Sequence, residues 1–392
     1  MSAALDAAAW ALAGVVAVPC LVLGTEIACG LASGRDRSEP RAARTAVIIP
    51  AHDEAAVIEP TLQALRAVSP PDTRVLVIAD NCSDATAELA RRSGVEVIER
   101  VDRERRGKGF ALAFARDHLA EVAEPPEVVV VLDADCRLAS GSLERLAGVC
   151  LASGRPAQAR NLLGSPPEAS PLVQISCFAF MLKNLVRARG LQRMSGAVTL
   201  MGTGMAFPWA LFSALPLASG HLAEDMELGV DLIRQGQGAV LVSAARVTSP
   251  PAAEGDTLEQ RKRWEHGFLS VALRQALPLL AEGLGRGRPA LLALGLDLLV
   301  PPLALMAAGI VGVWVVLAAF VAAGASSAPL WALTGIAGIA GALVLAAWAV
   351  YGRQLLRPAA LLRLPLYVMW KLPLYLRFIT GRESRWVRTR RE

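Results

Sequence analysis

Hydrophobic and polar positions divide this chain into a charge-bearing middle and two strongly apolar ends. From Ala7 to Leu23 no charged residue interrupts the sequence, and with Gly24 and Thr25 the run approaches the ~20 residues that cross a bilayer. Near the other end, Leu291 to Ala323 is apolar apart from Asp297, which either marks the end of an interfacial segment before a later-starting span or lines a polar path through the membrane, and Leu330 to Tyr351 is apolar throughout. Their lengths predict two more spanning helices. Between these ends the pattern alternates. Thr45 to Pro50, Val75 to Ala79, Val95 to Ile98 and Glu127 to Leu132 are short, β-branched apolar runs. Helical spacing follows through Val57, Leu62, Leu65 and Val68, then over Asp84 to Ser93 and Gly109 to Val122. Strands alternating with helices predict an α/β domain with a parallel sheet covered on both faces, whose ligands bind beyond the carboxyl ends of the strands. His52-Asp53-Glu54, Asp80-Asn81 and Asp133-Ala134-Asp135 all fall at such ends.

After Pro156 the periodicity weakens. It still predicts a helix over Leu172 to Arg189, a glycine turn at Gly202-Thr203-Gly204, a helix over Asp225 to Arg234 and a strand over Ala239 to Ser243. Leu258 to Ala281 reads as a long amphipathic helix with Trp264, Phe268, Val271 and Leu280 facing lipid headgroups. Leu361 to Ile379 is broken by Pro365 and Pro373 and carries Arg363, Lys371 and Arg377, so it is expected to lie on the membrane rather than cross it. The expected division is an N-terminal spanning helix (1–33), an α/β domain (34–256), an interfacial helix (257–288), two spanning helices (289–352) and a basic interfacial segment (353–392).

Composition agrees with a membrane protein, since 54% of residues are hydrophobic and only 19% charged. A secretory signal peptide is the rival reading of the first segment, but Met1 to Asp6 has no positive n-region. Arg35, Arg37, Arg41 and Arg44 follow that segment, and Arg353, Arg357 and Arg363 follow the last one. The positive-inside tendency therefore places the α/β domain in the cytoplasm. These flanks account for the net charge of +5, and no aromatic-interleaved basic patch points to nucleic acid. The six cysteines show no C-x-x-C pairing and read as reduced, buried thiols.

The candidate chemistry sits at the strand ends. Asp133 and Asp135 are spaced to approach one hard cation, Mg2+ or Mn2+, whose other ligands come from substrate phosphates; the alternative is a polar strand-end turn. Asp80 is placed to accept hydrogen bonds from a nucleobase or ribose, and Asp84 to cap the next helix. Arg105-Arg106-Gly107-Lys108-Gly109 reads either as an anion-approaching loop or as a solvated charged loop. Asp225 competes between capping its helix and serving as the base that takes a proton from an attacking hydroxyl. In Gln260-Arg261-Lys262-Arg263-Trp264, Arg263 is suited to offset leaving-group charge and Trp264 to stack on a sugar or to anchor at the interface. The four histidines are scattered without ligand spacing.

Taken together, Val47-Ile48-Ile49-Pro50-Ala51-His52-Asp53-Glu54, Ala79 to Asp84, Arg106 to Gly109, Asp133-Ala134-Asp135, Gly202-Thr203-Gly204, Glu224-Asp225 and Gln260 to Trp264 resemble the motifs of membrane-bound family 2 glycosyltransferases with a GT-A fold. That group includes cellulose, hyaluronan and poly-N-acetylglucosamine synthases, and ceramide glucosyltransferases have a similar layout. The resemblance implies an inverting, metal-dependent transferase that takes a sugar from a nucleotide diphosphate, such as a UDP-sugar, to a growing glycan at the cytoplasmic face of a bacterial inner membrane. Transfer of one sugar to a membrane lipid is the alternative, and a non-catalytic nucleotide-sugar-binding membrane subunit the rival of another class. The roles it implies are Asp225 as base, Asp133 and Asp135 as metal ligands, and Asp53, Glu54, Asp80, Lys108, Asp133, Gln260 and Arg263 on the donor. Gly202, Thr203, Gly204 and Trp264 are implied on the acceptor side. The chain departs from the large synthases in its fewer spanning helices and in having no gating loop after Trp264.

Overall fold

The computed structural model describes residues 2–34, 36, 38–164, 168–221, 223–251 and 254–380, with side chains undescribed at 2, 254–259 and 379–380. Arg35, Arg37 and the arginine-rich end from Arg382 to Arg391, all expected at membrane flanks, lie outside the described residues. Contacts divide the chain into two compact units. One comprises residues 34–164 and 196–264, the other 2–33, 168–195 and 265–380.

The first unit is built on a mixed eight-stranded sheet: β1 (Thr45–Ala51), β2 (Arg74–Asp80), β3 (Glu96–Arg100), β4 (Val128–Val131), β5 (Arg137–Leu138), β6 (Ala157–Leu163), β7 (Met205–Pro208) and β8 (Val240–Ser249). The strand order is β3-β2-β1-β4-β7-β6-β8-β5. The half containing β1 to β4 is parallel, as the alternating pattern requires. The parallel expectation fails beyond β4, where β7 runs antiparallel to both β4 and β6. Burial explains why the early strands were readable. Ala46 to Ile49, Leu76 to Ile78 and Val128 to Leu132 are all fully buried, and strands covered on both faces read as continuous apolar runs. Helices Ile58–Val68, Thr86–Arg92 and Lys108–Ala120 fall within a few residues of their expected positions. Strand β8 is twice its expected length because a register shift opposite Ala159/Arg160 lets it continue past Ser243, where the apolar run breaks.

In the second unit three helices are long and apolar enough to cross a membrane: Ala3–Leu31, Leu303–Ala322 and Ala328–Gly352. Of the two readings of Asp297, the structure takes the one with a later-starting span. Pro301 and Pro302 end a short apolar helix, Pro289–Leu298, before the span begins at Leu303. Asp297 therefore sits at the end of a short helix and not within a span. Ala9 and Ala13 of the first helix pack with Leu317 and Leu333 of the other two. The helix expected over Leu172 to Arg189 runs from Pro171 to Ser195 with a π-turn at Leu182–Arg187, and it packs in this unit against the first helix.

Three charged residues are shut inside this unit. Arg187 donates to Glu26 Oε2 at 2.6 Å and to Asp297 Oδ1 at 2.8 Å, and Glu26 is fully buried.

The long helix Glu254–Gly285 exists, but the face expected toward headgroups is corrected. Phe268 and Val271 are buried, and the exposed apolar stripe is Leu273, Leu277 and Leu284. Hydrophobic periodicity fixes that a helix has a buried face; it does not say whether protein or lipid covers it.

Candidate active site

The first unit gathers four sequence-distant segments beyond the carboxyl end of β4. Asp133 leaves that strand's end, and its backbone N–H donates to Thr203 Oγ1 at 3.1 Å. Lys108, the first residue of its helix, donates from Nζ to Asp133 Oδ1 and to the Gly202 carbonyl. Asp225 completes the group from the first turn of helix Glu224–Arg234. A Cβ placed on Gly202 would come within 3.3 Å of Asp225 Oδ2, and Gly202 holds φ +81°. Glycine is thus required there twice, by conformation and by the closeness of the carboxylate.

Electrostatics bind these segments together. Although burial works against its charge, the Asp133, Glu224 and Asp225 carboxylates hold the Lys108 ammonium above its usual range. Burial first, and the adjacent Asp225 second, push Glu224 up to about 7, with Lys108 opposing the shift. Glu224 was not singled out in the sequence as a site residue. Its signal was only adjacency to Asp225.

Asp133 and Asp135 carry carboxylate oxygens close enough to share a cation: the ligand atoms of Asp133, Asp135 and Cys136 lie within 4.8 Å of one another. Burial first, then the neighbouring aspartates, push the Cys136 thiol well above its usual range. The two aspartates supply hard carboxylate oxygens, which fit Mg2+ or Mn2+.

The residues expected on the nucleotide side lie at the ends of β1 and β2. Asp80 accepts from Arg100 at 2.7 Å and from the Asn81 side chain at 3.0 Å, and Arg100 lies opposite it in the β2/β3 register. Arg100 was missed in the sequence because only strand register brings it to Asp80. Asp53 and Glu54, expected on the donor, are engaged locally. Asp53 Oδ1 accepts the Ser83 N–H at 2.6 Å and the Asp84 N–H at 3.2 Å, and the Glu54 N–H donates to Thr86 Oγ1 at 2.7 Å. Despite burial, those bonds from Ser83 hold the Asp53 carboxyl below its usual range. In the Gln260 to Trp264 segment, Gln260 and Arg261 are buried while Arg263 and Trp264 are partly exposed, and the Arg261 guanidinium lies 4.9 Å over the Trp264 ring.

Behind the glycine turn stands a residue that nothing in the sequence marked. Gln158, fully buried in β6, accepts the Met201 N–H at 2.9 Å and donates to the Thr203 carbonyl at 2.9 Å. Asn161 adds a bond to the Met201 carbonyl at 3.1 Å. Gln158→Leu keeps the volume but strips the loop of both partners, at about 1–3 kcal/mol for each buried group left unpaired. The expected outcome is a lower melting temperature and transfer reduced roughly 10-fold or more as the loop loosens. Thermal unfolding and steady-state turnover check it, and a wild-type turnover number would remove Gln158 from this role.

Residues 40–267 match the family model described as "Glycosyltransferase like family 2", more than half of the chain. The chain belongs to that family. No curated protein sequence matches this family 2 chain. Among solved structures, this glycosyltransferase is similar to the mannosyltransferase PcManGT from Pyrobaculum calidifontis in complex with GDP-Man and Mn2+, at 19% identity over 94% of this chain and 99% of that one, with a TM-score of 0.55. It is also similar to GalNAc-T7 with UDP, GalNAc and Mn2+, at 16% identity over 60% of this chain and 51% of that one, TM-score 0.42. Glucosyl-3-phosphoglycerate synthase from Mycobacterium tuberculosis matches at 21% identity over 52% of this chain and 71% of that one, TM-score 0.35. At such identities the likeness to PcManGT is one of fold, and it extends over nearly the whole of both chains.

Proposed function

We propose that this family 2 glycosyltransferase transfers a sugar, with inversion, from a nucleotide diphosphate donor to an acceptor hydroxyl presented at the cytoplasmic membrane surface. The observation that carries the reading is the convergence of Lys108, Asp133, the Gly202-Thr203 turn and Asp225 in one cluster. Asp133 and Asp135 are the residues to hold Mg2+ or Mn2+, which when bound offsets charge on the leaving diphosphate. Lys108 already touches Asp133 and sets a fixed ammonium where phosphate charge accumulates. Asp225 is the base, taking the acceptor proton as the hydroxyl attacks the anomeric carbon opposite the leaving group. Asp80, braced by Arg100, addresses the nucleoside. Gln260 and Arg263 are assigned to the diphosphate and Trp264 to the acceptor sugar. The arginines after the first and last apolar helices support a cytoplasmic site.

The resemblance to polysaccharide synthases supports a growing glycan as acceptor. A second reading, one sugar to a membrane lipid, is favoured by the small membrane unit, which has three helices long enough to cross among the described residues. Incubating membranes with labelled GDP-mannose, UDP-glucose or UDP-N-acetylglucosamine and Mn2+ tests both. Label in a chloroform-soluble product supports the lipid, and label in a lipid-free polymer supports the glycan. No incorporation from any nucleotide sugar, with metal-dependent nucleotide binding retained, would overturn transfer in favour of a binding subunit.

A further inference from the structure

Glu265 and His266 directly follow the Gln260 to Trp264 segment, and both are held by one face of the helix Leu364–Thr380. Lys371 ion-pairs with Glu265 Oε1 and is buried, with 4% of its side chain exposed. The Tyr375 hydroxyl donates to the other carboxylate oxygen, Oε2, at 2.8 Å. His266 Nε2 lies 3.0 Å from the Leu374 carbonyl, and its ring meets Phe378 edge-on at 5.1 Å. Positions 371, 374, 375 and 378 follow the i, i+3, i+4, i+7 spacing of a single helical face. The opposite face exposes Leu366, Met369 and Leu376, while Arg377 is exposed beside them and Lys371 is the charge turned inward.

A buried ammonium is costly unless paired, and this one sits in an otherwise apolar stretch. Its partner is the residue next to Trp264. Burial first, then the Glu265 carboxylate, push the Tyr375 hydroxyl well above its usual range, so it remains a donor. Residues 265 and 266 point about 100° apart on their helix, so holding both fixes its rotation about its own axis. A rotation of about 20° carries a side-chain tip ~6 Å from the axis through ~2 Å, and a misplacement of ~1 Å can cost about 10²-fold in rate.

We infer that the helix Leu364–Thr380 clamps the helix Glu254–Gly285 at Glu265 and His266, and that Lys371, Tyr375 and Glu265 are positioning residues that fix the rotation of the helix that also carries Arg263 and Trp264. The inference rests on the proposed transfer reaction for its effect on rate, but not for the clamp itself. Lys371→Met is expected to lower kcat about 10- to 100-fold, with the donor KM within about 3-fold of wild type, because orientation and not donor affinity is lost. Lys371→Arg restores kcat to within about 3-fold, since an arginine keeps the charge. Tyr375→Phe, which removes a single hydroxyl, lowers kcat about 3-fold and serves where Lys371→Met does not fold.

The experiment uses the full chain in membranes with Mn2+ and the three nucleotide sugars above, reading nucleoside diphosphate release. In parallel, trypsin cleavage after Arg261, Lys262 and Arg263 is timed by mass spectrometry. Lys371→Met and Tyr375→Phe should be cut faster than wild type, and Lys371→Arg should not. Wild-type kcat in Lys371→Met beside an inactive Trp264→Ala overturns the clamp and leaves the transfer reading standing. If Trp264→Ala also keeps wild-type turnover, or wild type turns over no donor, the transfer reading is what has failed. Cleavage then decides the clamp alone, and unchanged rates in both variants overturn it.

Discussion

Asp225→Asn loses about 10² to 10⁴ in turnover, the usual worth of a positioned general base, while nucleotide binding stays within about 2-fold, since the amide removes no donor contact. The substitution keeps the shape of a side chain whose Oδ2 lies beside Gly202, so the loop is undisturbed. What disappears is the capacity of this side chain to accept a proton from the acceptor hydroxyl in the proposed reaction. Initial-rate release of nucleoside diphosphate, alongside equilibrium binding of the same nucleotide, checks the expectation. Unchanged turnover in Asp225→Asn excludes Asp225 as the base.

Arg187→Met has the largest expected effect on folding. Arg187 is the cation that pairs with both Glu26 and Asp297, and Glu26 is fully buried. Removing the cation leaves two carboxylates facing each other without compensation, at about 3–5 kcal/mol. That is a large fraction of the ~5–15 kcal/mol that holds a typical protein folded. The expected result is a steep loss of folded protein from detergent extracts and a melting temperature lower by about 10 °C or more. The triple variant Glu26→Gln/Arg187→Met/Asp297→Asn should recover most of the loss, because it removes the charges together. A normal melting temperature for Arg187→Met alone would show that the ion pairs carry no net stability.

Legibility followed local signal strength. Strands β1, β2 and β4 were readable because each is a run of consecutive buried apolar residues, and a window of a few positions suffices, while the partly buried β3 was read from the short run Val95 to Ile98. Strand β5 has only two residues, β7 is Met205-Ala206-Phe207-Pro208 with no β-branched residue to mark it, and β6 carries Gln158, Arg160 and Asn161 among its apolar positions. Those three strands are where the sheet stops being parallel. The same division holds in the site. Asp133, Asp135, Lys108 and Asp225 stood out in the sequence because each stands in a short motif with chemical meaning. Arg100 and Gln158 act through strand register and a loop contact between distant segments, and no local pattern encodes either. The phase of the helix Glu254–Gly285 was missed because Phe268 and Val271 satisfy a lipid-facing stripe and a protein-facing one equally well. The proline pair at 301–302 was visible in the sequence and favours the later-starting span.

The buried Arg187 also constrains the order in which the protein is made. Glu26 precedes Arg187 by 161 residues, and Asp297 follows it by 110. The ribosome therefore delivers the first helix with an acidic group whose cation has not been synthesised, then the early strands of the sheet, and only much later the second carboxylate. A membrane-inserted carboxyl without a partner is held near the water interface until one arrives. The first helix is thus inserted early and secured late, and a stalled or truncated chain ending before residue 187 displays an uncompensated acidic anchor. Membrane quality-control proteases that recognise exposed polar groups in apolar helices would have that anchor to act on, so chains lacking the arginine should be cleared faster than complete ones.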